Sequence, residues 1–316
     1  MSGPISSIAP SPQERPAAPS QSGRAVSPFE RVAPHLMRGS WGALIIGGLL
    51  IGRTVDGRSS AVTIVSQVLW WSVWGVGLVA VLVWHPAGLV FLRCASPLAL
   101  VATIWAVTEA GSEAMAVRAP ALVAAAVAFL AAHWNEVGHL CVNGPAYPNE
   151  RRFLLRPAAA LMVGPLPLFG ALTGAGVVVG PLLLASRLWV AGVACTAVGI
   201  ALVRVLGKAL YAQARRFVVF VPAGFVLHDE FVVRDPVLFQ RRIIEQLRVA
   251  PAQSDSLDLT NGAGGLAIEV LLTEKAEIVR VTSRRTSETG NTARFLLMPT
   301  FPGRLLDEAR TRRLTR

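Results

Sequence analysis

Between residues 39 and 205 the chain is almost without charge, and this constrains its fold more than any other feature. Only fourteen of those 167 residues are Asp, Glu, Lys or Arg. A helix that crosses a bilayer needs about 20 consecutive apolar residues, and hydrocarbon admits only structures that satisfy their own backbone hydrogen bonds. Five segments meet the length: Val62 to Trp84, Ala87 to Val107, Ala119 to Leu140, Ala158 to Leu184, and Leu188 to Val205 with its flanks. A sixth, Gly39 to Gly52, is shorter, reaching about 21 Å. It spans only if Arg38 and Arg53 snorkel at its ends.

The remaining third has a different character. From Gly207 onward there are seventeen Lys or Arg and twelve Asp or Glu, so a bilayer part is followed by a water-soluble part. Overall 53% of residues are hydrophobic and 16% charged, against roughly a quarter charged in soluble domains. These values exclude a secreted, disordered or purely cytosolic protein. The net charge of +11 follows from topology, because cytoplasmic flanks of spanning helices are rich in Lys and Arg. The partners expected are membrane lipids with anionic headgroups and a protein in the envelope, not nucleic acid.

Counting positive charge orients the chain. With six spans, the N-terminal arginines, the loop holding Arg151, Arg152 and Arg156, and everything after residue 206 share the cytoplasmic side of a plasma (inner) membrane. Residues 1–38 hold seven prolines without hydrophobic periodicity and read as a disordered cytoplasmic tail. No signal-peptide core precedes Trp41, so the tail is expected to stay attached. The domains are then 1–38, a transmembrane helical domain at 39–206, and a cytoplasmic β domain at 207–316. Gly48-x-x-x-Gly52, Gly170-x-x-x-Gly174 and Gly176-x-x-x-Gly180 allow close helix packing. Pro165, Pro167 and Pro181 predict a kinked or broken fifth span.

After Gly207 the hydrophobic period changes to two. Strands are predicted around Arg216 to His228 with a turn at Pro222-Ala223-Gly224, then at Phe231 to Arg234, Ile243 to Val249, Ser256 to Leu259, Leu266 to Leu272, Glu277 to Thr282 and Phe295 to Pro299. Pro302 to Arg310 closes the chain as a helix with Leu305, Leu306 and Ala309 on one face. The fold class is therefore a six-span α-helical bundle followed by a small antiparallel β barrel or sandwich with a C-terminal helix. This strand order, opened by an aromatic and valine strand and a Pro-x-Gly turn, resembles the bacterial pleckstrin-homology-like domain. The whole chain is similar to a group of uncharacterised actinobacterial multi-pass membrane proteins. The resemblance is carried by the loop from Val142 to Arg152 and the segment from Phe220 to Asp229, and it implies an architecture rather than a catalytic activity.

Polar residues in the apolar part are the candidate sites. Arg93 and Glu136 each lie about 9 Å below the cytoplasmic face, and charges in hydrocarbon turn inward and pair. They are expected to form an intramembrane pair. His133, Glu136 and His139, at steps of three on one helix, fall within an arc of about 120° and offer imidazole and carboxylate to a metal ion. The plainer reading is an interfacial polar group beside Trp134. Cys94, Cys141 and Cys195 show no metal or disulfide spacing. Gly262-x-Gly264-x-x-Ala267 imitates a dinucleotide fingerprint but leads into a strand, so it reads as a turn. Among the basic groups, Arg151, Arg152, Arg156, Arg215 and Arg216 are the expected lipid contacts.

No nucleophile, phosphate loop or cofactor motif is found, so the expectation is a non-enzymatic scaffold or regulator. The alternative is a small transporter or ion-coupled carrier built on Arg93, Glu136 and the broken fifth span. A membrane enzyme using His133, Glu136 and His139 is a third reading.

Overall fold

The computed structural model describes residues 27–109, 115–163, 165–282 and 286–314. Glu113, Arg284, Arg285, Arg316 and the tail up to residue 26 lie outside them. Within them, five helices are long and apolar enough to cross a membrane: Ser60–Leu82, Pro86–Glu109, Met115–His133, Leu168–Ala185 and Trp189–Ala214. They are followed by a small region of mixed sheet and a C-terminal helix.

The chain turns helical earlier than its prolines suggest. α1 (Pro28–Ala43) starts with a capping box in which Ser27 and Glu30 satisfy each other's backbone N–H groups. Pro28 stands at the first helical turn, where a missing N–H costs nothing. Ala33, Met37, Ser40 and Trp41 form its buried face. The disordered stretch expected up to residue 38 is thus corrected from Pro28 on, since helical spacing and a cap outweigh proline content. One residue, Leu44, separates α1 from α2 (Ile45–Val55). The two helices cover about 42 Å, twice the length of the apolar core read from sequence.

Trp41 ties this helix to α3 (Ser60–Leu82). Its indole donates to the Trp74 carbonyl at 2.9 Å, and the Trp74 indole donates back to the Trp41 carbonyl at 3.1 Å. Both rings bury their area without orphaning an N–H, and full burial of Trp41 contributes on the order of 3 kcal/mol. α4 (Pro86–Glu109) and α5 (Met115–His133) pack through Ala95, Ala99, Ala121, Ala125, Ala128 and Ala132. α5 does not run on to Leu140. Trp134 adopts φ −71°, ψ 134°, and a separate helix α6 (Asn135–Asn143) begins after it.

α7 (Ala159–Val163) ends, and α8 (Pro165–Ala185) begins, at the proline pair expected to interrupt the fifth span. α8 forms a hairpin with α9 (Trp189–Ala214) through backbone contact. A Cβ at Gly176 would lie 2.5 Å from the Cα of Gly199, so both positions depend on the missing side chain.

The described residues of the β region form two four-stranded sheets. The first, in the order β1-β2-β3-β4, contains β1 (Arg151–Leu154), β2 (Phe217–Val221), β3 (Gly224–His228) and β4 (Val237–Gln240), all antiparallel. At the β2–β3 turn Gly224 has φ +150°, and a Cβ there would strike the carbonyl oxygen of Phe239. The second, in the order β5-β7-β8-β6, contains β5 (Ile244–Val249), β6 (Leu257–Asp258), β7 (Ile268–Val281) and β8 (Ser287–Leu297). β6 pairs with β8 in parallel, so the sheets are not purely antiparallel.

Two predicted strands, at Leu266 and Glu277, are one long β7 with a bulge between Leu271 and Ala276. Phe231 to Arg234 contributes only a bridge from Val233 to Arg280. β4 was not read from sequence. Phe153, Phe220, Phe225 and Phe239 of the first sheet meet Val270 and Phe295 of the second in one core, capped by Leu305 and Ala309 of α10 (Pro302–Thr311).

β1 overturns the domain boundary set at residue 207. It comes from the loop between α6 and α7, pairs along β2 from Arg151↔Phe220 to Leu154↔Phe217, and continues as Arg156 N–H to Met298 O at 2.8 Å and Thr300 N–H to Leu154 O at 2.8 Å. The β region is incomplete without a strand supplied from the helical part.

Candidate functional site

The side chains that join the helices to the β region come from four distant parts of the sequence. α6 contributes Glu136 in its first turn, and α10 contributes Arg304. Arg304 donates through both terminal nitrogens to Glu136, at 2.8 Å to Oε2 and 2.5 Å to Oε1. It also donates to Glu30 Oε1 at 3.2 Å and Ser27 Oγ at 3.0 Å, while Arg151 reaches the same Glu30 oxygen at 3.5 Å. Two carboxylates thus face two guanidiniums, the balance a low-dielectric site needs. Glu136 is only 4% exposed. The hydrogen bond to Glu136 raises the Arg304 pKa above its ordinary value against the opposing effect of burial, which fixes it as a cation.

Beside this ion network runs an aromatic stack. The Arg304 guanidinium lies 4.2 Å from the centroid of Phe301. Phe301 meets the His139 ring edge-on at 4.8 Å, and His139 meets Phe153 of β1 at 5.8 Å. Asn143, the last residue of α6, grips β1 by its backbone: its amide donates to Arg152 O and its carbonyl accepts from Arg152 N–H, both at 2.9 Å. An asparagine amide can do both at once, so it sets the register of β1 against α6.

The expected pair of Arg93 and Glu136 does not form. Glu136 turns to Arg304, while Arg93 Nε donates to the Ala132 carbonyl at 3.3 Å. The break at Trp134 explains both directions. It ends α5 one residue after Ala132, leaving C-terminal carbonyls that carry partial negative charge, and it swings Glu136 onto a new helix axis.

The same break dissolves the proposed metal triad. His133 is exposed at the end of α5 with Nδ1 2.9 Å from Phe129 O, whereas Glu136 and His139 are buried on α6. Among the described residues no three His, Cys, Asp or Glu side chains gather as a metal site.

The five arginines expected at lipid divide. Arg216 is 1% exposed and forms a bidentate pair with Asp229 at 2.8 to 2.9 Å, so it cannot reach a headgroup. Arg151 joins the Glu30 network. Arg152 binds Glu150 and the carbonyls of Val142 and Pro145, and Arg156 binds Gly264 O. Arg215, at 38% side-chain exposure, sits beside Glu230 and His228. The segment Asn261 to Gly265 is a turn, with Asn261 at φ 56° and Gly262 at φ 68°, and it feeds strand β7 rather than a helix.

Ser27, Glu30, Asn143, Phe301 and Arg304 were not singled out by sequence reading. Only the Ser-x-x-Glu capping box at Ser27 and Glu30 had a local signal. Arg304 lies 168 positions from Glu136. Compared with family models, with curated proteins and with solved structures, the chain finds no match.

Proposed function

We propose that this chain is a six-span plasma-membrane protein, both ends cytoplasmic, whose helical bundle holds a pleckstrin-homology-like domain at the inner surface. It acts as a scaffold or regulator that offers this domain to anionic lipid or a protein partner. The observation that carries the reading is the strand exchange: a loop between two spans completes the sheet through β1, and Arg304 clamps the closing helix to Glu136. A domain tethered by a linker needs neither.

Three further features support it. α1 and α2 supply a sixth pass, starting beside Arg304 at Ser27. Arg38 Nε reaches Val81 O at 3.0 Å near the end of α3, and Val55 accepts from Thr63 Oγ1 in the first turn of α3 at 3.1 Å. An even number of passes returns α9 to the side from which α1 departs. Two sheets around one core with a closing helix are the layers that a pleckstrin-homology-like domain requires.

The carrier reading loses its central pair, since Glu136 is held by Arg304 and Arg93 caps α5. Cysteines placed at Ser27 and Arg310 test the topology by labelling in sealed vesicles of known orientation. Both should react only from the cytoplasmic face, and labelling from opposite faces would overturn six spans. Purified full-length protein in liposomes should carry no proton or ion flux; a flux abolished by Glu136→Gln would replace the scaffold with a carrier.

A further inference from the structure

The α8–α9 hairpin exposes a face with a change of chemistry along it. On α9, Val190, Val193, Ala197 and Ile200 fall on one side at helical spacing and are exposed, Val190 by 88%. The same line continues as Arg204, Lys208, Tyr211 and Arg215. At 100° per residue these four lie within an arc of about 60°. Arg204, Lys208 and Tyr211 are exposed, and Arg215, at the helix end, is half-buried. The opposite side carries Gly192 and Gly199, packed against α8.

Depth agrees with this division. Trp189 is 63% exposed at one end of α9 and Tyr211 36% exposed toward the other. They are 22 residues apart, about 33 Å along the axis, close to the roughly 30 Å of bilayer hydrocarbon. Such aromatic residues mark the two interfaces. Lys208 then stands at the inner boundary, and Arg204 about one turn deeper, with a side chain long enough to bring its guanidinium toward the headgroups. Among the described residues neither Arg204 nor Lys208 has a carboxylate partner, and the acid that meets the stripe is Glu230, from the turn after β3, against Arg215 at 3.5 Å. Two uncompensated cations one turn apart, on a face otherwise built for acyl chains, need an anion that itself carries acyl chains.

We propose that Arg204, Lys208, Tyr211 and Arg215 form a binding site for the headgroup phosphate of an anionic phospholipid of the inner leaflet. The cations bind the phosphate, the Tyr211 hydroxyl hydrogen-bonds a headgroup oxygen, and Val193, Ala197 and Ile200 lie along the acyl chains. This inference rests on the cytoplasmic orientation proposed above and names a lipid site on the bundle rather than on the β domain. Because α9 runs directly into β2, lipid bound here steadies the joint between membrane and domain.

The test uses the full-length protein in mild detergent, with lipid binding followed by native mass spectrometry and by melting temperature. Phosphatidylglycerol should bind and stabilise, while phosphatidylcholine and inorganic phosphate should not. Arg204→Gln with Lys208→Gln should weaken phosphatidylglycerol binding about 10-fold, at up to about 1 kcal/mol per charge near an anionic surface. The charge-preserving exchange Arg204→Lys with Lys208→Arg should retain it, which separates lost charge from lost folding. Neutralising Arg242 and Arg310 on the β domain should leave binding unchanged. Wild-type affinity in the double Gln variant, equal binding of phosphatidylcholine, or displacement of the lipid by millimolar inorganic phosphate would each overturn the site. None of these outcomes bears on the vesicle labelling or the flux assay, so the scaffold reading stands or falls separately.

Discussion

Arg216 in the β domain and Arg93 in the bundle are both drawn away from water, and the chain neutralises them by different means. Arg216 receives a full counter-ion, Asp229, and a further acceptor in the Arg156 carbonyl. Among the described residues Arg93 receives no carboxylate; its partner is the C-terminal carbonyl of a helix interrupted at Trp134. A β domain surrounded by water can fold around an ion pair once every donor is satisfied. A bundle within hydrocarbon gains more from a backbone dipole, which offers about half a charge without burying a second ion. At the boundary between them, where Arg304 meets Glu136 and Glu30, the chain returns to ion pairing.

The largest effect expected from breaking this comparison is at Arg216. Arg216→Ala leaves the Asp229 carboxylate buried without its counter-ion, held only by the Phe231 N–H at 3.1 Å, and should cost about 3–5 kcal/mol, read as a collapse of the β-region transition in thermal melts. Next is the part of the bundle that uses no charge at all. Gly199→Val forces a side chain against the Gly176 backbone and should cost about 1–3 kcal/mol. A matched Gly207→Ala, where nothing lies within 4 Å of an added Cβ, should change little.

The boundary is sharpened by a double-mutant cycle on Glu136→Ala and Arg304→Ala. A coupling of about 1–2 kcal/mol is expected in the melting of full-length protein, and additive effects would dissolve the clamp. Substituting Arg93 together with Glu136 should instead be additive. Arg93→Ala alone should cost about 1 kcal/mol, the scale of a helix-end interaction.

The smallest effect is a pH slope. Burial raises the Glu269 pKa, but donation from Ser256, Ser254 and Arg248 outweighs it and holds the carboxyl below its usual range. A folded-state pKa below the unfolded value of about 4.3 contributes stability that is complete above that pH and lost as pH falls through the folded value. Glu269→Gln should therefore flatten the acid side of the stability profile and leave the neutral side parallel to wild type.

The legible part of the fold follows physical scale. Apolar runs of 20 residues are local, and so are alternating strands and the Pro302 helix, so five membrane-length helices and most strands could be placed from composition along the chain. The break at Trp134 had no such mark. Polar residues begin at His133, but no Pro or Gly lies between Ala121 and Val137 to announce a break, and Arg93 and the Asn143 grip on β1 bring the two halves of the run into different contacts. The error at Arg93 and Glu136 came from matching depths on helices assumed straight. The stripe on α9 follows helical spacing, but adjacency in sequence sets Arg215 beside Arg216, whereas the helix sets it beside Tyr211 and Lys208 one and two turns away.

By itself, then, the sequence determined that the chain is built for a bilayer, where its long helices lie, that a β region follows them, and that the glycine-rich segment before β7 is a turn. Each of these depends on hydrophobic period and backbone preference within some twenty residues. Tertiary structure alone decided that β1 leaves the helical part to complete the sheet, that Arg304 rather than Arg93 meets Glu136, and that Arg216 is buried while Arg204 and Lys208 are not. Those outcomes depend on which groups are brought together, from 13 residues apart for Arg216 and Asp229 to 168 for Arg304 and Glu136, and an arginine carries no local mark of the acceptor it will meet.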